Sequence, residues 1–192
     1  MEDFVAAHVT RTGLLQLSAA PEEVFPLFGP IEEKRWEAGW DPEVVHPRSS
    51  IAAPGMVFRT RHEGEAATVW LLNRWDPESG EIEYLTVTPD LRVGRIELRL
   101  QEEPPGRTRV RVSYTFTALS LAGNACVEDF TEARYAERMR RWEAAIDEVL
   151  RRRARVTTGG TQSQVTGRGS RRDRATARIT PARARSASPR GP

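Results

Sequence analysis

Residues 56–120 alternate apolar and polar side chains with a period of two, and turn-forming clusters interrupt the alternation at Asp76-Pro77-Glu78-Ser79-Gly80, Thr88-Pro89-Asp90 and Glu103-Pro104-Pro105-Gly106. This pattern predicts strands at 56–63, 67–75, 81–88, 91–102 and 107–119. The connections are short, so consecutive strands are expected to be antiparallel neighbours. Residues 43–48 and 5–18 add two more, for about seven in all. Parity separates two faces. Phe58, Thr60, Ile96, Leu98, Leu100, Val110, Val112, Tyr114 and Phe116 share one, while Arg59, Arg95, Glu97, Arg99, Arg109 and Arg111 share the other. A sheet that is wet on one side and broadly apolar on the other needs a cover. Segment 67–75 is the ambiguous one, because Trp70 and Leu72 compete with Val69, Leu71 and Trp75 for the inner side; Trp70 is taken as inward.

The cover is expected from residues 125–151. Val127, Phe130, Tyr135, Met139, Trp142, Ile146, Val149 and Leu150 fall three to five apart, along one face of a long helix. Gly123-Asn124 reads as the break before it, and Glu128 with Asp129 suits its N-terminal end. Arg151 to Arg153 suit its C-terminal end. About 27 residues at 1.5 Å each make a rod of about 40 Å, enough to cross a small domain.

Between the first strand and the others, residues 20–28 (APEEVFPLF) predict a short helix with Pro21 near its start and Pro26 limiting it. A second short helix is expected over Ile31 to Ala38, stopping at Gly39, so that Trp36 and Trp40 straddle the stop. The predicted class is α+β, with order β-α-α-β(6)-α.

From Arg151 onward the chain has no aromatic residue and no apolar periodicity, and such a segment cannot offset its own ordering entropy. A domain at 1–153 followed by a disordered Arg-rich tail at 154–192 is therefore expected. The net charge of +2 conceals this division: residues 1–150 hold 17 Lys and Arg against 26 Asp and Glu, whereas residues 151–192 hold 12 against one. The basic character belongs to the tail. It offers weak, nonspecific attraction to anions, and it has no aromatic to stack on bases, so no specific nucleic-acid partner is expected. No run of eighteen apolar residues and no secretory leader is present, so no membrane span is expected. Cys126 is the single cysteine, which rules out an intrachain disulfide and suits a reducing cytoplasm.

Motifs for catalysis are sparse. His8, His46 and His62 form no metal-ligand spacing, and there is no GxGxxG, GxxxxGK[ST] or GxSxG, so no metal and no cofactor are expected. Cys126 reads as a small buried or half-buried thiol. The adjacent acids Glu22-Glu23, Glu32-Glu33 and Glu102-Glu103 read as solvated surface.

The stretches LSAAPEEVFPLFGPIEEKRWEAGWDPEVV (17–45), PGMVFRT (54–60), VWLLNRWDPESGEIEYLTVTP (69–89), VRVSYTFTALSLAGN (110–124) and YAERMRRWEAAIDEVL (135–150), in that order, resemble the START-like or SRPBCC helix-grip superfamily, in the manner of a bacterial subgroup. The resemblance covers residues 5 to 152. It implies a curved antiparallel sheet wrapped around the C-terminal helix, with a cavity between them that admits lipid-like or polyketide-like molecules. On that reading Trp36 and Trp40 stand at the cavity mouth, either as lid residues or as packing. Phe58, His62, Trp70 and Tyr84 are expected to reach the cavity from the first strands, Tyr114 and Phe116 from the last, and Phe130, Tyr135 and Trp142 from the helical region. The hydroxyls of Tyr84, Tyr114 and Tyr135 either orient a ligand or bond to backbone or water. The expected function is binding of a hydrophobic small molecule. A cyclase- or dehydratase-like enzyme using Tyr114 or His62, or a protein-interaction module, are the alternatives.

Overall fold

The computed structural model describes residues 4–61 and 66–160, with side chains to 156. Seven strands form one antiparallel sheet: β1 (His8–Leu17), β2 (Glu43–His46), β3 (Val57–Thr60), β4 (Thr68–Asp76), β5 (Glu81–Thr88), β6 (Arg92–Glu102) and β7 (Thr108–Ala118), in the order β1-β7-β6-β5-β4-β3-β2. All the predicted strands are present. The helix α1 (Pro21–Val24) runs on into a 3₁₀ turn at Phe25–Phe28, and the helix expected at 31–38 is only a 3₁₀ turn, Glu32–Arg35, with Gly39 beyond it at φ +78°.

The ambiguity in β4 has a structural cause. Trp70 pairs with Thr86 and Leu72 with Tyr84, but the next pairs are Arg74 with Glu83 and Trp75 with Ile82, so Asn73 is an extra residue in the ladder. A bulge inverts the parity of everything after it. Trp70 and Leu72 face the interior before the bulge, and Trp75 faces it afterwards, its ring edge-on to Phe25 at 4.6 Å. Trp75 thus joins Trp70 and Leu72 on the inner side, while Val69 is left exposed on the other.

The expected single helix at 125–151 is two. α2 (Leu121–Glu128) is capped by Ser120, whose Oγ accepts from the Gly123 amide at 3.1 Å, and α3 (Glu132–Gly160) begins after a break at 129–131. Thr131 starts the second helix: its carbonyl accepts from the Tyr135 amide at 3.0 Å and its hydroxyl from the Arg134 amide at 3.4 Å. The apolar stripe runs across this break, because Val127 is buried and Phe130 packs on the core, so periodicity gave no sign of it. Gly123-Asn124 is not the break. Gly123 lies inside α2 against the β5–β6 turn, and Asn124 bonds the amide of Ala7 (2.7 Å) and the carbonyl of Val5 (2.9 Å), tying down the start of the chain. α3 continues through Gly160, so residues 154–160, expected in the tail, are helical; 161–192 lie outside the described residues.

α3 crosses the inner face along β1. Gly13 makes the approach possible, since a Cβ there would stand 2.8 Å from Met139 Cγ and 3.1 Å from the Tyr135 ring. β1 is an edge strand, and helix carboxylates meet its outward side: Gln16 N–H donates to Glu143 (2.7 Å), and just past the strand Ser18 N–H donates to Asp147 (3.0 Å).

A Cβ at position 123 would lie 2.0 Å from the Leu91 carbonyl oxygen, a backbone atom that cannot move aside cheaply. Gly123→Ala is expected to destabilise the protein by about 1–3 kcal/mol in urea unfolding, the range typical of overpacking. A variant as stable as the parent would show that α2 is not seated on that turn.

Candidate functional site

Between the sheet and α3 lies a cavity of about 140 Å³. Its origin is legible in one cross-strand row: Phe58, Trp70, Thr86, Gly94 and Phe116 are successive partners from β3 to β7. Large rings stand at both ends of the row, with threonine and glycine between them. The Phe116 ring leans over Gly94, coming within 2.7 Å of where a Cβ would be. Gly94 thus makes room for the Phe116 ring, and Thr86 is the small residue of the row that lines the cavity.

Of the residues expected at the site, Trp40, Phe58, Trp70, Tyr84, Tyr114, Phe116 and Trp142 line this cavity together. Phe58 and Trp70 stack at 5.5 Å with an interplanar angle of 11°, and Trp40 and Tyr84 stand edge-on to both. Three expected residues do not line it. Trp36 is buried as packing between Phe28 and Trp142, its N–H donating to the Leu27 carbonyl at 2.7 Å. Tyr135 is buried against β1, its hydroxyl donating to the Val112 carbonyl at 2.7 Å, and Phe130 packs behind Tyr114 and Phe116. His62 lies outside the described residues. The two tryptophans of the 35–47 stretch thus divide: Trp36 closes the core, while Trp40, anchored by an N–H bond to the Pro30 carbonyl at 2.7 Å, forms wall.

The cavity also holds polar groups that the sequence did not single out: Glu33, Glu37, Thr68, Thr86, Arg92 and Arg138. Glu33 corrects the reading of Glu32-Glu33 as surface, because the 3₁₀ turn directs Glu32 to Arg35 and Arg153 and leaves Glu33 on the inner side. Burial, and then the nearby charge of Glu37, push the Glu33 carboxyl well above the usual carboxylate range. Burial likewise raises the hydroxyls of Tyr84 and Tyr114, so both stay protonated. The Tyr84 hydroxyl donates to the Phe28 carbonyl at 2.7 Å. Arg138 lies over the Tyr114 and Phe130 rings at 5.8 and 5.7 Å, and Arg92 over Phe116 at 4.8 Å with an N–H on Cys126 Sγ at 2.7 Å. Cys126 is thus well inside α2 and not at the start of a long helix. His8 and His46 lie away from the cavity, His8 bonded to Thr117 on the outer face at 2.8 Å. Among the described residues no group of three or more His, Cys, Asp or Glu is arranged to hold a metal ion. Among them no helix is long and apolar enough to cross a membrane.

No family model and no curated protein sequence matches this chain. Solved structures do. Norcoclaurine synthase from Thalictrum flavum, in complex with dopamine and hydroxybenzaldehyde, superposes with a TM-score of 0.57 over 76% of this chain and 87% of its own, at 12% identity. Ara h 8.0201 superposes at 0.54 over 73% and 98%, at 15% identity, and hypothetical protein jhp0584 from Helicobacter pylori at 0.58 over 74% and 87%, at 9%. The chain has the helix-grip fold. In this helix-grip chain the grip is formed by β1 and α3, and the hollow by β3 to β7.

The raised Glu33 carboxyl has a consequence for stability. An acid whose folded pKa exceeds its unfolded one binds more protons when folded, so stability falls as pH rises from the ordinary value of 4.5 through the raised one. The slope approaches about 1.4 kcal/mol per pH unit. Glu33→Gln is expected to remove this decline, seen as a Tm that holds with rising pH while that of the parent falls. Parallel curves for the two proteins would place the Glu33 carboxyl in solvent.

Proposed function

We propose that this chain binds a small, largely apolar, single-ring molecule in the hollow between β3–β7 and α3. The observation that carries this reading is the aromatic-walled cavity of about 140 Å³. An apolar cavity of roughly that size, about 150 Å³, holds benzene, whereas pockets for drug-sized ligands run from about 300 Å³ upward. The size argues for one ring and against the acyl chain or multi-ring polyketide that the resemblance suggested. Burying about 200 Å² of ring surface gains on the order of 5 kcal/mol before association costs, which places affinity in roughly the millimolar range. A helix-grip protein with dopamine and hydroxybenzaldehyde bound, both single-ring molecules, is consistent with such a guest.

A second reading, a cyclase- or dehydratase-like enzyme, is favoured by one observation: a protonated carboxyl, Glu33, and a protonated phenol, Tyr114, line the same apolar space. It predicts turnover of a bound carbonyl compound that Tyr114→Phe abolishes; unchanged turnover in that variant retires Tyr114 as a proton donor. An interaction module has less support, since it would have no use for the hollow. We place the protein in a reducing compartment on the strength of its lone thiol, Cys126.

Titration with methyl benzoate, a neutral single-ring probe, followed by quenching of tryptophan fluorescence, tests the main reading. Saturable 1:1 binding is expected in the parent, with at least a tenfold loss in Ile96→Phe, which puts a ring into the space, and no saturable binding of stearate. Equal binding by parent and Ile96→Phe, or binding of stearate alone, would refute a single-ring site.

A further inference from the structure

Most polar groups in and around the cavity are already occupied. The Tyr84 and Tyr135 hydroxyls donate to backbone carbonyls, and the N–H groups of Trp36, Trp40 and Trp70 each have an acceptor within the protein. Others lack a full complement. The Trp142 N–H is buried without an acceptor, the Glu33 carboxyl has no hydrogen-bond partner among the described residues, and Arg92 and Arg138, which reach Cys126 Sγ and the Tyr114 hydroxyl, are ion-paired to no carboxylate among them. An unpaired buried donor is costly, and the half-buried Arg138 guanidinium has no counter-ion among the described residues to offset its charge.

The balance of charge decides what would complete this set. Glu37 is paired with Arg141 at 3.3 Å. Glu33 faces Glu37 on its own segment, Tyr84 from β5, Tyr114 from β7, and the α3 and β6 arginines across the cavity. The lining carries two arginines against two glutamates, of which Glu37 is already paired and Glu33 is pushed toward its neutral form by burial and by Glu37. Arg138 and Glu33 converge, because both are near enough to Tyr114 for their charges to act on its hydroxyl. What the site lacks is an acceptor bearing negative charge, next to a stacked aromatic wall.

We infer that the cavity contains a subsite for the carboxylate of a single-ring aromatic acid, held between the Arg138 guanidinium and the Glu33 carboxyl, with the ring against Phe58 and Trp70. Arginine suits this role because its planar fork matches a carboxylate. Ionisation of Glu33 would place a second negative charge beside the ligand, so binding weakens as pH rises through the Glu33 titration. The inference rests on the ligand-binding reading above and adds to it the charge of the guest.

The test titrates the full chain with benzoate and, separately, with methyl benzoate, across a pH range in which benzoate is fully ionised. The parent is expected to bind benzoate at least tenfold more tightly than the ester at the low end of that range, and to lose the preference as pH rises. Arg138→Gln should lose at least tenfold for benzoate while its affinity for the ester stays within twofold. Should that variant not fold, Arg138→Lys replaces it, with a several-fold loss for benzoate alone. Glu33→Gln should keep the low-pH affinity for benzoate and abolish its decline. The subsite is overturned if the ester binds as well as benzoate, if the Arg138 variant weakens both probes alike or neither, or if benzoate affinity rises with pH. Binding of the ester alone leaves the single-ring site standing without its anion subsite; failure of both probes removes the site and the subsite together.

Discussion

The seating of α3 on β1 is the constraint from which the rest follows. Gly13 lets the helix come so close that Tyr135 reaches over the strand to the Val112 carbonyl, and Glu143 and Asp147 bond the strand amides further along. Bonds to backbone fix position without filling volume. The helix is thus held firmly along one edge of the sheet, while opposite the middle strands it stands clear. With a side chain at position 13 the helix would be lifted from the edge, the two carboxylates would lose their partners, and β1 would be left as an open edge.

The hollow comes from a mismatch between walls and floor. Its sides are Phe58, Trp70, Tyr114, Phe116 and Trp142, rings held by mutual contacts at 5.5–6.3 Å, and its floor includes Thr86. Rings held in stacked, tilted and edge-on contacts cannot relax inward without giving up those contacts. Space at the centre of a well-packed domain therefore persists, and polar groups from the 3₁₀ turn and α3 gather at its side. Glu33 is the most consequential of these, because burial and the charge of Glu37 push its carboxyl toward the neutral form and so shift an otherwise balanced lining toward positive charge.

The sheet was legible because alternation is a direct consequence of strand geometry: every strand appears where period two and the turn clusters predict it, and Tyr114, Phe116 and Phe58 face inward as their parity requires. Even the conflict within β4 was informative, since a row that points both ways is what a bulge at Asn73 produces. The division of the long helix was hidden, because Phe130 continues the apolar stripe through a break made by Thr131 capping. Seven of the expected site residues share one cavity, for aromatic side chains on an inner face report themselves. Glu33, Arg92 and Arg138 did not, because on a surface rich in arginine and glutamate a single inward charge has no local signature. The one available sign was spacing: Arg138 falls between Tyr135 and Trp142 on a helix whose inner stripe they define.

The five tryptophans provide the most direct test of a hollow gripped between sheet and helix, since three line it and Trp75 is packed on Phe25 beyond it. Indole N–H resonances in a two-dimensional proton–nitrogen spectrum, recorded while a single-ring ligand is added, report on each ring separately. The account predicts saturable shifts of Trp40, Trp70 and Trp142 with one common dissociation constant, and a Trp75 resonance that stays in place. Shifts that spread equally to Trp75, or that leave Trp70 and Trp142 unmoved at saturation, would contradict it.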